Sequence, residues 1–247
     1  MKLKSKLAVL AATLGLTSIN LYANEELNMS NHHQLKEGTM INMTSQYNQS
    51  SKLESFLKSG GDLVKKTEPN TKTWFALKGN NEEFVIFDAF LNPEGRNQHF
   101  AGKVAAALKD SSEELVLGGW QKGVVENITN SKVLSSKIPS AHSKVNIANY
   151  IVFQSKEGKS QQLADLLSGA AELVQATEPN TVFWFALQLD DHTFAIFDAF
   201  KDLSGQKAHF AGKVAAALKD NSDALVKNGW EQGVVANIKE FKVITNI

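Results

Sequence analysis

Two histidines stand in identical surroundings. His99 opens the run HFAGKVAAALKD, and His209 opens the same run again. An imidazole that is neutral near pH 7 can take a proton from a substrate hydroxyl and so act as a general base. Asp88 and Asp198 lie in a second repeated run, IFDAF. Asp88 shares a strand face with Phe84, Ile86 and Phe90, where a carboxylate is unfavourable unless paired or hydrogen-bonded. It can orient His99 or, with its pKa raised by burial, act as a base itself. The plainer readings are a packing or helix-surface histidine and a strand-end carboxylate that accepts backbone hydrogen bonds from the next helix. On sequence alone both pairs of readings stay open.

A third group is aromatic. Trp74, Phe75, Phe90, Phe100 and Trp120 recur as Trp184, Phe185, Phe200, Phe210 and Trp230. Such rings can wall a pocket for a planar molecule or simply pack a core. Trp74, Phe90 and Trp120, with Trp184, Phe200 and Trp230, are the candidate substrate-binding set. No metal set is expected. There is no cysteine, and His32-His33 lies in a polar leader without further ligands. Gly60-Gly61 is no phosphate loop, because no G-x-x-x-x-G-K pattern accompanies it, and its counterpart is Ala170-Ala171. The glycine pair reads as a weak spot in a helix. No G-x-S-x-G context occurs.

The elements that must position these residues come in two copies. TEPNT, WFAL, IFDAF and HFAGKVAAALKD all recur at one offset of about 110 residues, and roughly 47 of 100 aligned positions are identical. This is a duplicated domain and not a solenoid, whose units are shorter and more numerous. The expected divisions are a signal peptide at 1–23, a polar leader at 24–37, modules at 38–137 and 148–247, and a linker at 138–147. In the second copy, Asn149 to Gln154 predicts a strand, and the spacing from Leu163 to Val174 predicts an amphipathic helix broken at Glu178-Pro179-Asn180. Thr181 to Gln188 and Thr193 to Phe200 predict a hairpin turning at Asp190-Asp191. Asp202 caps a helix expected to run to about Lys219. In the first copy Asn92 caps the same helix, with Pro93 at its first position. A short helical piece near Ser222 to Lys227 and an extended segment from Gly233 to Ile244 complete the order β-α-β-β-α-β. The fold class is α+β. Because the strand around Phe194 to Phe197 does not alternate, both sheet faces need cover. Two tandem ferredoxin-like copies can supply it to each other as a pseudo-dimeric barrel.

With WFAL, IFDAF and HFAGKVAAAL in this order, the chain resembles the antibiotic-biosynthesis monooxygenase superfamily, over nearly all of both copies. The resemblance implies a dimeric α+β barrel with a histidine near a cleft between sheet and helices. It implies a cofactor-independent oxygenase of a small aromatic or quinol-like compound, with molecular oxygen as co-substrate and His99 and His209 as proton acceptors. Haem-degrading relatives use Asn, Trp and His, which Asn42, Trp74 and His99 could imitate, but Val152 replaces Asn42 in the second copy. The rival readings are a binding module for an apolar or aromatic ligand and a structural barrel without a working pocket.

Lys2, Lys4 and Lys6 precede an apolar stretch from Leu7 to Leu16. This is the form of a cleavable export signal, too short to span a bilayer, with cleavage expected after Ala23. A periplasmic or secreted location is expected, with no membrane span after cleavage. The 26 basic and 26 acidic residues give no basic stripe, so nucleic acid is not an expected partner.

Overall fold

A computed structural model describes residues 35–247. The expected signal peptide, most of the polar leader and His32-His33 lie outside the described residues.

The first module runs β1 (Glu37–Thr44), α1 (Ser50–Thr67), β2 (Thr71–Lys78), β3 (Glu83–Phe90), α2 (Pro93–Phe100), α3 (Lys103–Leu115), α4 (Gly119–Gly123) and β4 (Ile128–Lys137). The second repeats it as β5 (Ile147–Gln154), α5 (Ser160–Ser168), α6 (Ala170–Thr177), β6 (Thr181–Gln188), β7 (Thr193–Phe200), α7 (Leu203–Phe210), α8 (Lys213–Leu225), α9 (Gly229–Gly233) and β8 (Ile238–Asn246). Local chemistry sets several boundaries. The Asn92 and Asp202 side chains accept from Gly95 N and Gly205 N at 2.9 and 3.0 Å, capping α2 and α7. Asp190 Oδ1 accepts from the backbone of His192 and Thr193, closing the β6–β7 turn.

Three expectations are corrected. The long helix after Asp202 divides at Ala211-Gly212, and its second part runs on to Leu225, absorbing the start of the separate piece expected near Ser222. Gly229 to Gly233 is a helical turn, so the last strand begins only at Ile238. Gly60-Gly61 does not interrupt α1, which is continuous. The break falls instead at Gly169, between α5 and α6.

The eight strands close in the order β1-β3-β2-β8-β5-β7-β6-β4. Each module contributes four neighbouring strands, and the modules join through antiparallel pairs β2–β8 and β4–β6. This is the expected tandem ferredoxin-like barrel, and it explains the unbroken apolar strands. Alternate residues point inward. Phe75, Phe87, Phe185 and Phe197 fill the barrel, with Phe87 and Phe197 stacked at 4.1 Å. The other face of each half-sheet packs on its own helices, through Trp74, Phe84 and Ile86 in the first module and Trp184, Phe194 and Ile196 in the second. The barrel interior is therefore packed, apart from a depression beside Met40, Tyr150 and Leu189, and further open space lies outside it, under the helices.

Candidate functional site

In each module the chemistry-bearing residues meet where β3 or β7 passes beneath the short helix. His99, at the end of α2, is 4% exposed and sits between two carboxylates. Its Nδ1 lies 2.6 Å from Glu68 Oε2, and its Nε2 lies 3.2 Å from Asp88 Oδ2. Glu68 closes α1. Its other oxygen accepts from Val104 N at 3.3 Å, at the N-terminus of α3, where a negative charge is favoured. Thr71 Oγ1 donates to Glu68 and lies 3.3 Å from His99 Nδ1. Phe90 packs against the imidazole with ring centres 5.4 Å apart. The second copy repeats this, with His209 Nδ1 2.5 Å from Glu178 Oε2 and His209 Nε2 3.3 Å from Asp198 Oδ2. Gly102 and Gly212 make the arrangement possible. A Cβ on Gly102 would stand 2.6 Å from the Glu68 carboxylate and 2.9 Å from His99 O. The helix therefore divides where the chain must pass close over the carboxylate.

The charge of the imidazole departs from the sequence expectation. Burial works against a charged ring, but Asp88 and Glu68 outweigh it and lift His99 to about 9. His209 is lifted likewise to about 9. Both rings are therefore imidazolium at pH 7, not neutral bases. Burial also works to raise Glu68 and Glu178, but the histidine and the backbone amide outweigh it and hold both carboxyls below their ordinary value. Complete burial pushes Asp88 up, against the pull of His99.

The modules differ behind this triad. Apart from the His99 contact, neither oxygen of Asp88 has a hydrogen-bond partner. Asp198 Oδ1 accepts from Asn149 Nδ2 at 2.7 Å, and Gln206 Nε2 donates to Asn149 at 2.9 Å and to Glu240 at 2.7 Å. They differ more in the space in front of the triad. The second module holds a cavity of about 580 Å³, lined by His209, Trp184, Phe210, Trp230, Leu166 and Leu173 among others. The first holds about 140 Å³, lined by His99, Trp74, Phe100 and Trp120 with aliphatic neighbours.

Of the expected residues, His99, Trp74 and Trp120 line one cavity, and His209, Trp184 and Trp230 line the other. Asp88 and Asp198 stand behind the histidines, and neither serves as a helix cap, which Asn92 and Asp202 provide. Phe90 and Phe200 do not line the cavities. They pack on the imidazoles from the strand side. Asn42 points away from His99, into a depression between the modules beside Met40 and Tyr150, so the haem-type trio does not assemble. Among the described residues, no group of three or more His, Cys, Asp or Glu is arranged to hold a metal ion. The sequence reading missed Glu68 and Glu178, taking them only as part of a helix-breaking segment. Their exact recurrence in TEPNT was the available signal.

Neither a protein-family model nor a curated protein sequence matches the chain. Solved structures do. A monooxygenase candidate from Fusobacterium nucleatum superposes with a TM-score of 0.70 at 13% identity, over 87% of this chain and 94% of that one. Another from Lactobacillus acidophilus gives 0.70 at 11%, over 87% and 96%. An anthrone oxidase-like protein gives 0.53 at 12%, over 88% and 94%. At such identities the likeness is one of fold. The class is thus an α+β barrel of ferredoxin-like modules, the fold shared with these solved structures. Within it, this chain is a tandem protein whose two modules form one closed barrel.

Proposed function

We propose that the protein is an exported, cofactor-independent oxygenase of a small aromatic or quinol-type compound, working in the cleft of His209. The observation that carries this reading is the apolar cavity of about 580 Å³, walled by Trp184, Phe210 and Trp230 with His209 as its buried ionisable group. Its volume falls within the range of about 300–1,000 Å³ usual for small-molecule sites. Because His209 is already charged, its role differs from that of a simple base. Both ring N–H groups face carboxylates, so the ring stays charged, and its positive field favours loss of the substrate hydroxyl proton, which leaves to water at the open cleft. The result is a substrate anion beside the imidazolium. Molecular oxygen then oxidises the anion, one oxygen atom entering a ring carbon and the other leaving as water with the two hydrogens the substrate gives up, while Asn149 fixes the Asp198 carboxylate.

Saturable oxygen uptake by the metal-free mature protein, with quinols and anthrones, is the expected result. It should vanish in the His99→Ala/His209→Ala double variant and fall in Asp198→Asn. No uptake above the protein-free control by the folded protein would sink the oxygenase reading. The rival is a binding module that holds the same ligand without turnover, favoured by the carboxylates already facing both nitrogens of each imidazole. Export is supported by the basic and apolar run before Ala23. A mature N-terminus at Asn24, read by sequencing the protein recovered outside the cytoplasm, is the result expected of it.

A further inference from the structure

We infer that the chain has one ligand site, not two: the cleft of the second module, shaped for a flat, mostly apolar ring system that carries a hydrogen-bond-accepting oxygen. This rests on the reading of that cleft given above and adds which copy works and what it recognises.

The first cleft is filled by differences that can be traced residue by residue. Gly60 and Gly61 let α1 lie close on the sheet. A Cβ at Gly60 would meet the Trp74 ring and Val104 at 3.4 Å, and one at Gly61 would meet Thr245 Cγ2 at 2.9 Å. The second copy carries those methyl groups, as Ala170 and Ala171, and its helix breaks at Gly169. Phe56 packs on the first core where Leu166 lines the second cavity. Ile247 also joins the first core, and its N–H binds Trp74 O at 3.0 Å, whereas Lys137 holds the matching place in the second copy. As a result no residue of α1 lines the first cavity, while Leu166, Leu167, Ala170 and Leu173 line the second. At about 140 Å³ the first space corresponds to a few water molecules of about 30 Å³ each and falls below the usual ligand range of about 300 Å³.

The chemistry of the ligand follows from what the second cleft lacks. Trp184 is fully buried and lines the cavity, and its indole N–H, like that of Trp74 in the first cleft, has no partner in the protein; only the second cleft has room for a ligand to supply one. A buried donor without a partner calls for an acceptor. The deep wall also presents the positively charged edge of His209, whose two N–H groups are taken by Glu178 and Asp198. The other carboxylate in the wall, Asp165, is exposed at the rim. One free donor beside a buried positive charge, without a free buried acceptor, suits a carbonyl or phenolate oxygen on a ring.

The test is equilibrium titration of the full mature protein with 1,4-naphthoquinone, beside naphthalene, which has the rings and no oxygen. One naphthoquinone per chain is expected, with naphthalene bound about ten-fold more weakly through loss of the hydrogen bond. Ala105 and Ala215 occupy the same place in the two walls. Ala215→Phe should abolish binding, and Ala105→Phe should leave it within about twofold, since a side chain acts only where a ligand competes for its space. Leu166→Phe, which copies Phe56, gives a second block should Ala215→Phe not fold. Two molecules per chain, or loss of binding in Ala105→Phe alone, would overturn the single site. Equal binding of naphthalene would overturn the oxygen contact, and no binding of naphthoquinone would overturn the site itself. One naphthoquinone bound without oxygen uptake from any quinol would leave the site standing and remove the oxygenase reading.

Discussion

The first module sets Glu68, His99 and Asp88 before a space of about 140 Å³, and the second sets Glu178, His209 and Asp198 before about 580 Å³. The triad is the same to within 0.1 Å in its two contact distances, yet the volume beside it differs several-fold. A charged cluster that persists in a module without room for a ligand must also serve the fold. It ties the end of α1, the end of α2 and the middle of β3 at one buried point. The cavity is the feature that separates the copies, and it is shaped by small differences in the covering helix.

The largest expected effect tests whether the triad is structural in both copies. Glu68→Ala and Glu178→Ala each leave a buried imidazolium short of a partner and should destabilise by about 3–5 kcal/mol in denaturant unfolding. A large loss in the second module alone would break the symmetry. Next comes pH. Each histidine is lifted from 6.5 to about 9 in the folded state. The stabilisation is therefore fully present below pH 6.5 and is lost as pH rises through about 9. At one pKa unit per 1.36 kcal/mol it reaches roughly 3 kcal/mol per ring as an upper figure. Unfolding midpoints at pH 6.5 should exceed those at pH 9.5, and His99→Gln and His209→Gln should each flatten that slope. A smaller loss, about 1–3 kcal/mol, is expected for Gly102→Ala or Gly212→Ala, since the new methyl overlaps the triad carboxylate. The smallest effect sharpens the account of the helices. Gly60→Ala meets its neighbours at 3.4 Å and should stabilise by about 0.5–1 kcal/mol through helix propensity. Gly61→Ala, meeting Thr245 at 2.9 Å, should lack that gain.

Much of the fold was legible because its signals are local or repeated. The hairpin strands Thr181–Gln188 and Thr193–Phe200 fall where β-rich runs end at a turn, and Asn92 and Asp202 cap their helices as their side chains dictate. The division of the long helix at Gly102 and Gly212 was not legible. Nothing in HFAGKV lowers helix propensity beyond one glycine, and the need for that glycine comes from a carboxylate more than thirty residues away. Glu68 and Glu178 were hidden for the same reason. A glutamate beside a helix-ending proline reads as surface punctuation until tertiary contact places it on the imidazole.

The sequence by itself determined the duplication, the β-α-β-β-α-β order and the need for a second sheet, because period, turn chemistry and unbroken apolar strands act over short stretches of chain. Only the tertiary structure decided the charge of His99 and His209 and the inequality of the two clefts. Charge there depends on burial and on carboxylates supplied by distant elements. Cavity volume depends on sub-ångström packing between a helix and a sheet, where two methyl groups and one ring change the outcome.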